Sequence, residues 1–239
     1  MSGHSKWKNI MHKKGKTDAQ RAKVFTKIGR EMQIAIKAGG ADPAANSKLK
    51  DLIAKAKSNN VPNDNIDRAI KKAMGETDVV YEEITYEGYG PSGVAIIVEA
   101  TTDNRNRTGS EMRHYFDKHG GNLGSTGCVS YMFADKGVIV VESEGIDEDK
   151  LMEDALEVGA VDFTSDDEVF EIFTDPMELS QIRDDLEKRG YSFASAEVEK
   201  IPSMYVKLED EDDLTKFGKL MDMLEDNDDV QNVWHNLQD

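Results

Sequence analysis

Lysines and arginines recur at helical spacing in the first third of this chain. The chemistry they suggest is phosphate neutralisation rather than bond making. At about 100° per residue, the stretch RAKVFTKIGREMQIAIKA (21–38) puts Val24, Phe25, Ile28, Met32, Ala35 and Ile36 on one side. Arg21 opens the stretch, and Lys23, Lys27, Arg30 and Lys37 form a narrow stripe of one sign opposite the apolar side. Such a stripe is either a solvated helix face or a contact for a polyanion, and it is expected to stay available once the apolar side has packed. Lys6, Lys8, Lys13, Lys14 and Lys16 extend it toward the N-terminus, with Trp7 among them. Lysine can track phosphates, and an exposed indole stacks on a base for roughly 1–3 kcal/mol. A second candidate lies at TTDNRNRT (101–108), where Arg105 and Arg107 precede a predicted helix opened by a capping box, Thr108 to Glu111. A helix N-terminus attracts anions through its free N–H groups and its dipole.

Other constellations fail on context. Gly88-Tyr-Gly90-Pro-Ser-Gly93 matches the dinucleotide fingerprint by letter, but a predicted strand, Val94–Ala100, follows it where that fingerprint opens a helix. It reads as a hairpin turn. Gly15-Lys16-Thr17 imitates the end of a phosphate-binding loop, with Ile10 where the leading glycine is required. Gly121-Asn-Leu-Gly124 leads into a strand, which excludes a KH clamp but leaves a loop able to approach a phosphate. His114 and His119, five apart on a helix, point away from each other. The acidic runs 209–213 and 226–229 lack the glycine and spacing of a calcium loop. Cys128 stands alone, so no internal disulfide or multi-cysteine zinc site is possible. No serine or cysteine is tied by local pattern to a histidine base. The expectation is a protein without catalytic residues, metal, cofactor or small-molecule substrate.

Charge is divided unevenly. The net charge is −17, yet residues 1–75 hold 17 Lys+Arg against 6 Asp+Glu, and the other 164 residues hold 13 against 41. A basic end on an acidic body can bind nucleic acid through the end while the body is repelled. Fourteen of the seventeen cations are lysines. Lysine is a point charge for phosphate, whereas arginine, asparagine and glutamine do most base reading, so backbone or shape recognition is favoured. No apolar run approaches the roughly 20 residues of a membrane span, and no apolar stretch follows the N-terminal lysines as in a secretory signal. A cytoplasmic location with no membrane partner is expected.

The elements needed to position these groups follow from hydrophobic period. Residues 1–20 show none and are expected to be a mobile basic arm. Residues 21–79 hold three amphipathic helices, the second capped by Asp42–Pro43, the third starting near Asn63 or Asp64 with Arg68, Lys71 and Lys72 outward. From Tyr81 the period becomes extended, with strands at 83–87, 94–100 and 129–133 around the helix from Thr108. Residues 137–201 read as a complete ferredoxin-like unit: strands 138–141, 169–173 and 192–198, room for a short one near 162–164, and two helices, the second capped by Asp175–Pro176. The tail adds a strand at 204–208, a helix with Leu214, Phe217, Met221 and Leu224, and a strand at 230–237. Residues 203–239 read as β-α-β, too small to bury a core alone, and residues 80–134 read as β-β-α-β, which is unfinished as a unit. The economical arrangement is α+β: a three-helix basic domain plus two ferredoxin-like α+β domains, one (137–201) inserted into the other (80–136 and 202–239).

The opening Met1-Ser2-Gly3-His4-Ser5-Lys6-Trp7, with Asn9-Ile10 and His12-Lys13-Lys14, closely resembles that of the YebC family. The resemblance continues through VPNDNIDRAIKKAMGE (61–76), YEGYGPSGVAIIVEATTDNRNRT (86–108) and GGNLGSTGCVSYMF (120–133), with Ser2 in place of the commoner alanine. It implies three domains and a regulator of gene expression: a DNA-binding transcriptional regulator or, alternatively, a translation factor that meets ribosomal RNA and tRNA and relieves ribosomes stalled on proline-rich sequences. The expected partner is nucleic acid, DNA or ribosomal RNA, with the ribosome as a possible assembly. A protein–protein adaptor working through the acidic domains is the rival from another class.

Overall fold

The structure is a computed structural model that describes residues 18–75 and 79–238. Among these residues are seven α-helices and two four-stranded antiparallel sheets, an α+β protein.

Helices α1 (Asp18–Gly39), α2 (Ser47–Ser58) and α3 (Asn63–Met74) pack around Ile28, Met32, Leu49, Leu52, Ala56 and Ile66. The chain leaves α1 through Gly40, whose φ of +85° suits glycine. Asp42 does not cap α2. Its carboxylate accepts from Ala44 N at 2.9 Å in a turn, and Asn46 is the cap, accepting from Leu49 N at 3.1 Å. Asn46 also donates to Ala35 O and Gly40 O at 2.8 Å, so one buried amide ties the end of α1 to the start of α2.

The first sheet has the order β3-β1-β2-β8. Strand β1 (Glu82–Tyr89) pairs with β2 (Ala95–Thr102) as a hairpin, and β3 is the short Asn122–Leu123. Strand β8 (Val230–His235) comes from the far end of the chain. Helices α4 (Arg105–Lys118) and α7 (Glu211–Asp226) cover one face, with Val94, Ile96, Val98, Met112, Phe116, Leu220 and Leu224 between. The glycines of the hairpin region permit close approach. A Cβ on Gly88 would stand 2.5 Å from Asn122 O, and one on Gly121 2.4 Å from Tyr89 O. The segment expected as a strand at 129–133 is instead a 3-10 turn over Ser130–Met132 that enters β4 directly. The strand expected at 204–208 is reduced to one parallel bridge, Val206 to Leu237.

The second sheet has the order β5-β6-β4-β7 and is built from β4 (Phe133–Glu142), α5 (Glu148–Glu157), β5 (Asp162–Ser165), β6 (Val169–Thr174), α6 (Leu179–Lys188) and β7 (Ser195–Pro202). This is the βαββαβ order of a ferredoxin-like unit. Ile139, Val141, Leu151, Ile172, Ile182 and Leu186 form its core under the helices. Asp175 does not cap α6. It accepts from Met177 N at 2.8 Å in the preceding turn, and Glu178 stands at the cap without a side-chain bond. β5 lies at the outer edge, where the Asp162 carboxylate takes the N–H of Phe163 at 2.9 Å.

Strands β4 and β7 begin and end side by side, with Phe133 opposite Pro202 and Ala134 opposite Ile201. The chain therefore enters and leaves the second sheet at one point. Deleting 134–201 and joining the ends through a short glycine linker is expected to leave the first sheet and the helices folded, with a cooperative melt and native near-ultraviolet dichroism. A molten remainder would show that the first sheet depends on the second.

Candidate nucleic-acid interface

Most of the basic stripe of α1 is engaged by acceptors of the same chain. Lys23, Lys27 and Arg30 point at the C-terminal end of α7 and the segment that follows. Lys23 pairs with the Asp226 carboxylate and donates to Asp226 O at 3.3 Å. Lys27 donates to Glu225 O at 2.8 Å. Arg30 donates to Asp228 O at 2.8 Å and to the Asp229 carboxylate at 2.7 Å, and its guanidinium lies 5.3 Å from the centre of the Tyr81 ring. Lys37 is exposed and donates to Val79 O at 3.2 Å. The expectation of a stripe left available after packing is thereby corrected for Lys23, Lys27 and Arg30. Helix ends leave carbonyls unpaired and carry negative partial charge, and those of α7 are met by these cations.

Helix α2 is held likewise. Lys48 pairs with Glu83 at 2.6 Å, Lys50 with Asp184, and Asp51 with Arg183 at 2.8 Å. Lys55 stands between two carboxylates, 3.5 Å from Glu31 and 3.3 Å from Glu197. Burial works against the ammonium, but Glu197 and Glu31 outweigh it and hold its pKa above the usual lysine range. Burial raises the Glu31 carboxyl, and Lys55 offsets this only in part.

Asp229 is the meeting point of the first sheet and the helical domain. It is 4% exposed. Beyond Arg30, its carboxylate accepts from Arg107 at 2.6 Å, Thr108 at 2.7 Å and Thr102 at 3.1 Å. Burial would raise its pKa, but Arg107, Thr108 and Arg30 prevail and hold it below the usual carboxylate range.

The second candidate is also altered. α4 starts at Arg105, three residues earlier than expected, with Asn104 as cap accepting from Arg107 N at 3.1 Å. Thr108 lies inside the helix and faces Asp229, so the capping box to Glu111 does not form. Arg105 and Arg107 therefore sit within the first turn, where a cation opposes the helix dipole. Arg107 is bound by Asp103 and Asp229, while Arg105 keeps a side chain 71% exposed, 4.0 Å from Glu82.

The expected arm, Lys6, Trp7, Lys8, Lys13, Lys14 and Lys16, lies outside the described residues, and of Arg21 only the backbone within α1 is described. A further cation set, outside the candidates named from the sequence, is exposed on α3: Arg68, Lys71 and Lys72, spaced to share one face. None of them pairs with a described acid, including Asp64 and Asp67 one turn earlier. The signal available in sequence was their i, i+3, i+4 spacing opposite Ile66, Ala69 and Ala73.

A further functional-looking segment is structural. Glu87, 3% exposed, accepts backbone N–H groups from Gly127 at 2.8 Å, Val129 at 2.9 Å and Ser130 at 2.8 Å. Its own carbonyl accepts from Gly124 N at 2.8 Å. The segment after the glycine-rich loop thus gives three amides to an internal carboxylate, while the loop's own Gly121 and Gly124 amides go to Phe116 O and Glu87 O. Burial raises the Glu87 pKa, and the three amides outweigh it and lower it. A cleft between the helical domain and the first sheet is lined by Glu31, Lys48, Glu83, Glu99 and Gln231, a mixture of both signs.

Residues 5–76 match the N-terminal domain of TACO1/YebC proteins, and residues 81–237 match their second and third domains. The chain belongs to the TACO1/YebC family. A relative from Acetivibrio thermocellus, named a probable transcriptional regulatory protein, is 62% identical over 99% of this chain and 98% of its own length. One of the same name from Caldicellulosiruptor bescii is 60% identical over 100% and 99%. The crystal structure of a conserved hypothetical protein of Aquifex aeolicus, 48% identical, superposes with a TM-score of 0.84 over 93% of this chain and 92% of that one. Among the described residues of this family member, no helix is long and apolar enough to cross a membrane.

Proposed function

We propose that this chain is a regulator of gene expression that binds nucleic acid by its backbone through the N-terminal helical domain. The names of the relatives, probable transcriptional regulatory proteins, support the regulator role. The observation that carries the nucleic-acid reading is the exposed face of α3, where Arg68, Lys71 and Lys72 stand without acidic partners among the described residues on a domain of positive charge. The basic arm preceding α1 supplies more lysines to the same partner. Lysine predominates and no helix carries a dense set of base-reading side chains, which supports phosphate contact over sequence reading.

The test is binding of wild type and Arg68→Glu/Lys71→Glu/Lys72→Glu to unrelated DNA duplexes, structured RNA and ribosomes across a salt series. If about six phosphates are met, wild-type affinity falls about a thousandfold between roughly 50 and 200 mM salt. The triple variant is expected to bind every sequence about a hundredfold more weakly, with a flatter salt slope. Unchanged affinity for all partners would overturn the assignment of this face. Ribosome binding by wild type without measurable duplex binding would place the regulator in translation, and the reverse in transcription.

A further inference from the structure

The contacts that clamp α1 and α2 to the rest of the chain include a series of ion pairs and cation-to-carbonyl bonds. Three consecutive cations of the α1 stripe, one turn apart, meet the row of carbonyls and carboxylates at 225–229. Lys48 and Lys50 of α2 meet Glu83 on β1 and Asp184 on α6. Each of these cations donates to oxygen acceptors at hydrogen-bond range, as it would to phosphate oxygens. We infer that the acidic body is an intramolecular polyanion that competes with nucleic acid for the helical domain, so that this structure is the self-inhibited state. The inference rests on the nucleic-acid reading above and adds its regulation.

Two features make the competition reversible. The outer pairs are open to water: side-chain exposure is 42% and 78% for Lys23 and Asp226, and 54% and 52% for Lys48 and Glu83. Exposed pairs of this kind are individually weak and screened by salt. They act as a set because the two surfaces belong to one chain, which gives each a high effective concentration for the other. A nucleic acid that first meets Arg68, Lys71 and Lys72 is held on the same domain, which raises the local concentration of phosphates that compete with the acids. The affinity of the closed protein is then reduced by the small fraction of molecules that are open.

The experiment compares three full-length proteins of defined charge. The clamp variant is Glu83→Gln/Asp184→Asn/Asp226→Asn. The control, Glu144→Gln/Asp149→Asn/Glu153→Gln, removes the same charge from exposed acids on the second sheet's domain that touch no cation of α1 or α2. None of the six lies on the proposed contact face. Affinity for an RNA hairpin and a DNA duplex is measured with the radius of gyration from small-angle scattering. The clamp variant is expected to bind about tenfold more tightly than wild type and to be more expanded, with the control within about twofold of wild type. Equal affinities in clamp variant and control, or a clamp variant no tighter than wild type, would overturn the inference alone. Failure of all three to bind would overturn the proposed function and the inference with it.

Discussion

Asp229→Ala is expected to destabilise the junction of the helical domain and the first sheet by about 3–5 kcal/mol, the cost of breaking a buried ion pair from one side. Two guanidiniums, Arg30 and Arg107, and two hydroxyls, Thr102 and Thr108, share this carboxylate. The substitution takes from Arg30 and Arg107 the carboxylate they share in a partly dehydrated site, and leaves Arg107 its more exposed partner Asp103. For a chain of this size the midpoint of thermal unfolding should fall by about 10 °C. Asp229→Asn keeps the shape and an acceptor and should recover part of the loss, which separates charge from packing. The pH dependence has a defined sign. The folded pKa lies below the unfolded value of about 3.9, so the contribution is fully present above that value and is lost as pH falls through the folded one. In Asp229→Ala the acid limb of the stability profile should be correspondingly shallower. A variant that melts with wild type at neutral pH would show that the hub is dispensable.

Glu87→Ala is expected to cost about 3–4 kcal/mol, because three backbone N–H groups lose a charged acceptor at once and hydrogen bonds to charged groups contribute about 1.5–3 kcal/mol each without adding fully. One oxygen takes Gly127 N–H and the other takes both Val129 and Ser130 N–H. A glutamine would turn its amide nitrogen toward one of these donors, so Glu87→Gln should fail to rescue. Hydrogen exchange at Gly127, Val129 and Ser130 provides the local reading. These amides should be protected in wild type and exchange far faster in both variants. Protection unchanged in Glu87→Ala would mean that the loop is held by other contacts. Here too the folded pKa is depressed, so the stabilisation is retained above the unfolded glutamate pKa and lost in acid.

Local signals carried the element pattern further than they carried the site. The run from Val138 to Val198 showed its helices and strands through apolar period, and the sparse strand at 162–165 was marked only by the space left for it. Two helix starts were misplaced because a tempting cap was engaged in a turn: Asp42 and Asp175 each bond an amide two residues on. The spacing of Thr108 to Glu111 suits a capping box, but Asn104 captures that role and frees Thr108 for Asp229. The stripe of α1 was legible as a basic face, whereas its occupant was not. Asp226 and Asp229 lie about two hundred residues away in a run of acids that looks like ordinary hydrated surface. Glu87 was hidden in the same way, since a glutamate in a strand of alternating polarity gives no sign that its side chain turns inward to a loop forty residues on.

The outer strand of the second sheet bears on how the protein behaves among its own copies. An edge strand invites another chain to add to the sheet, and crowded copies of one protein are its commonest neighbours. On β5 the carboxylate of Asp162 already occupies the N–H of Phe163, and Asp166, Asp167 and Glu168 follow at the turn. A second copy approaching in register would find that amide taken and would bring two acidic turns together. The charge that grips the helical domain on one side of the molecule thus serves, on the other, to keep the protein from polymerising through its sheets.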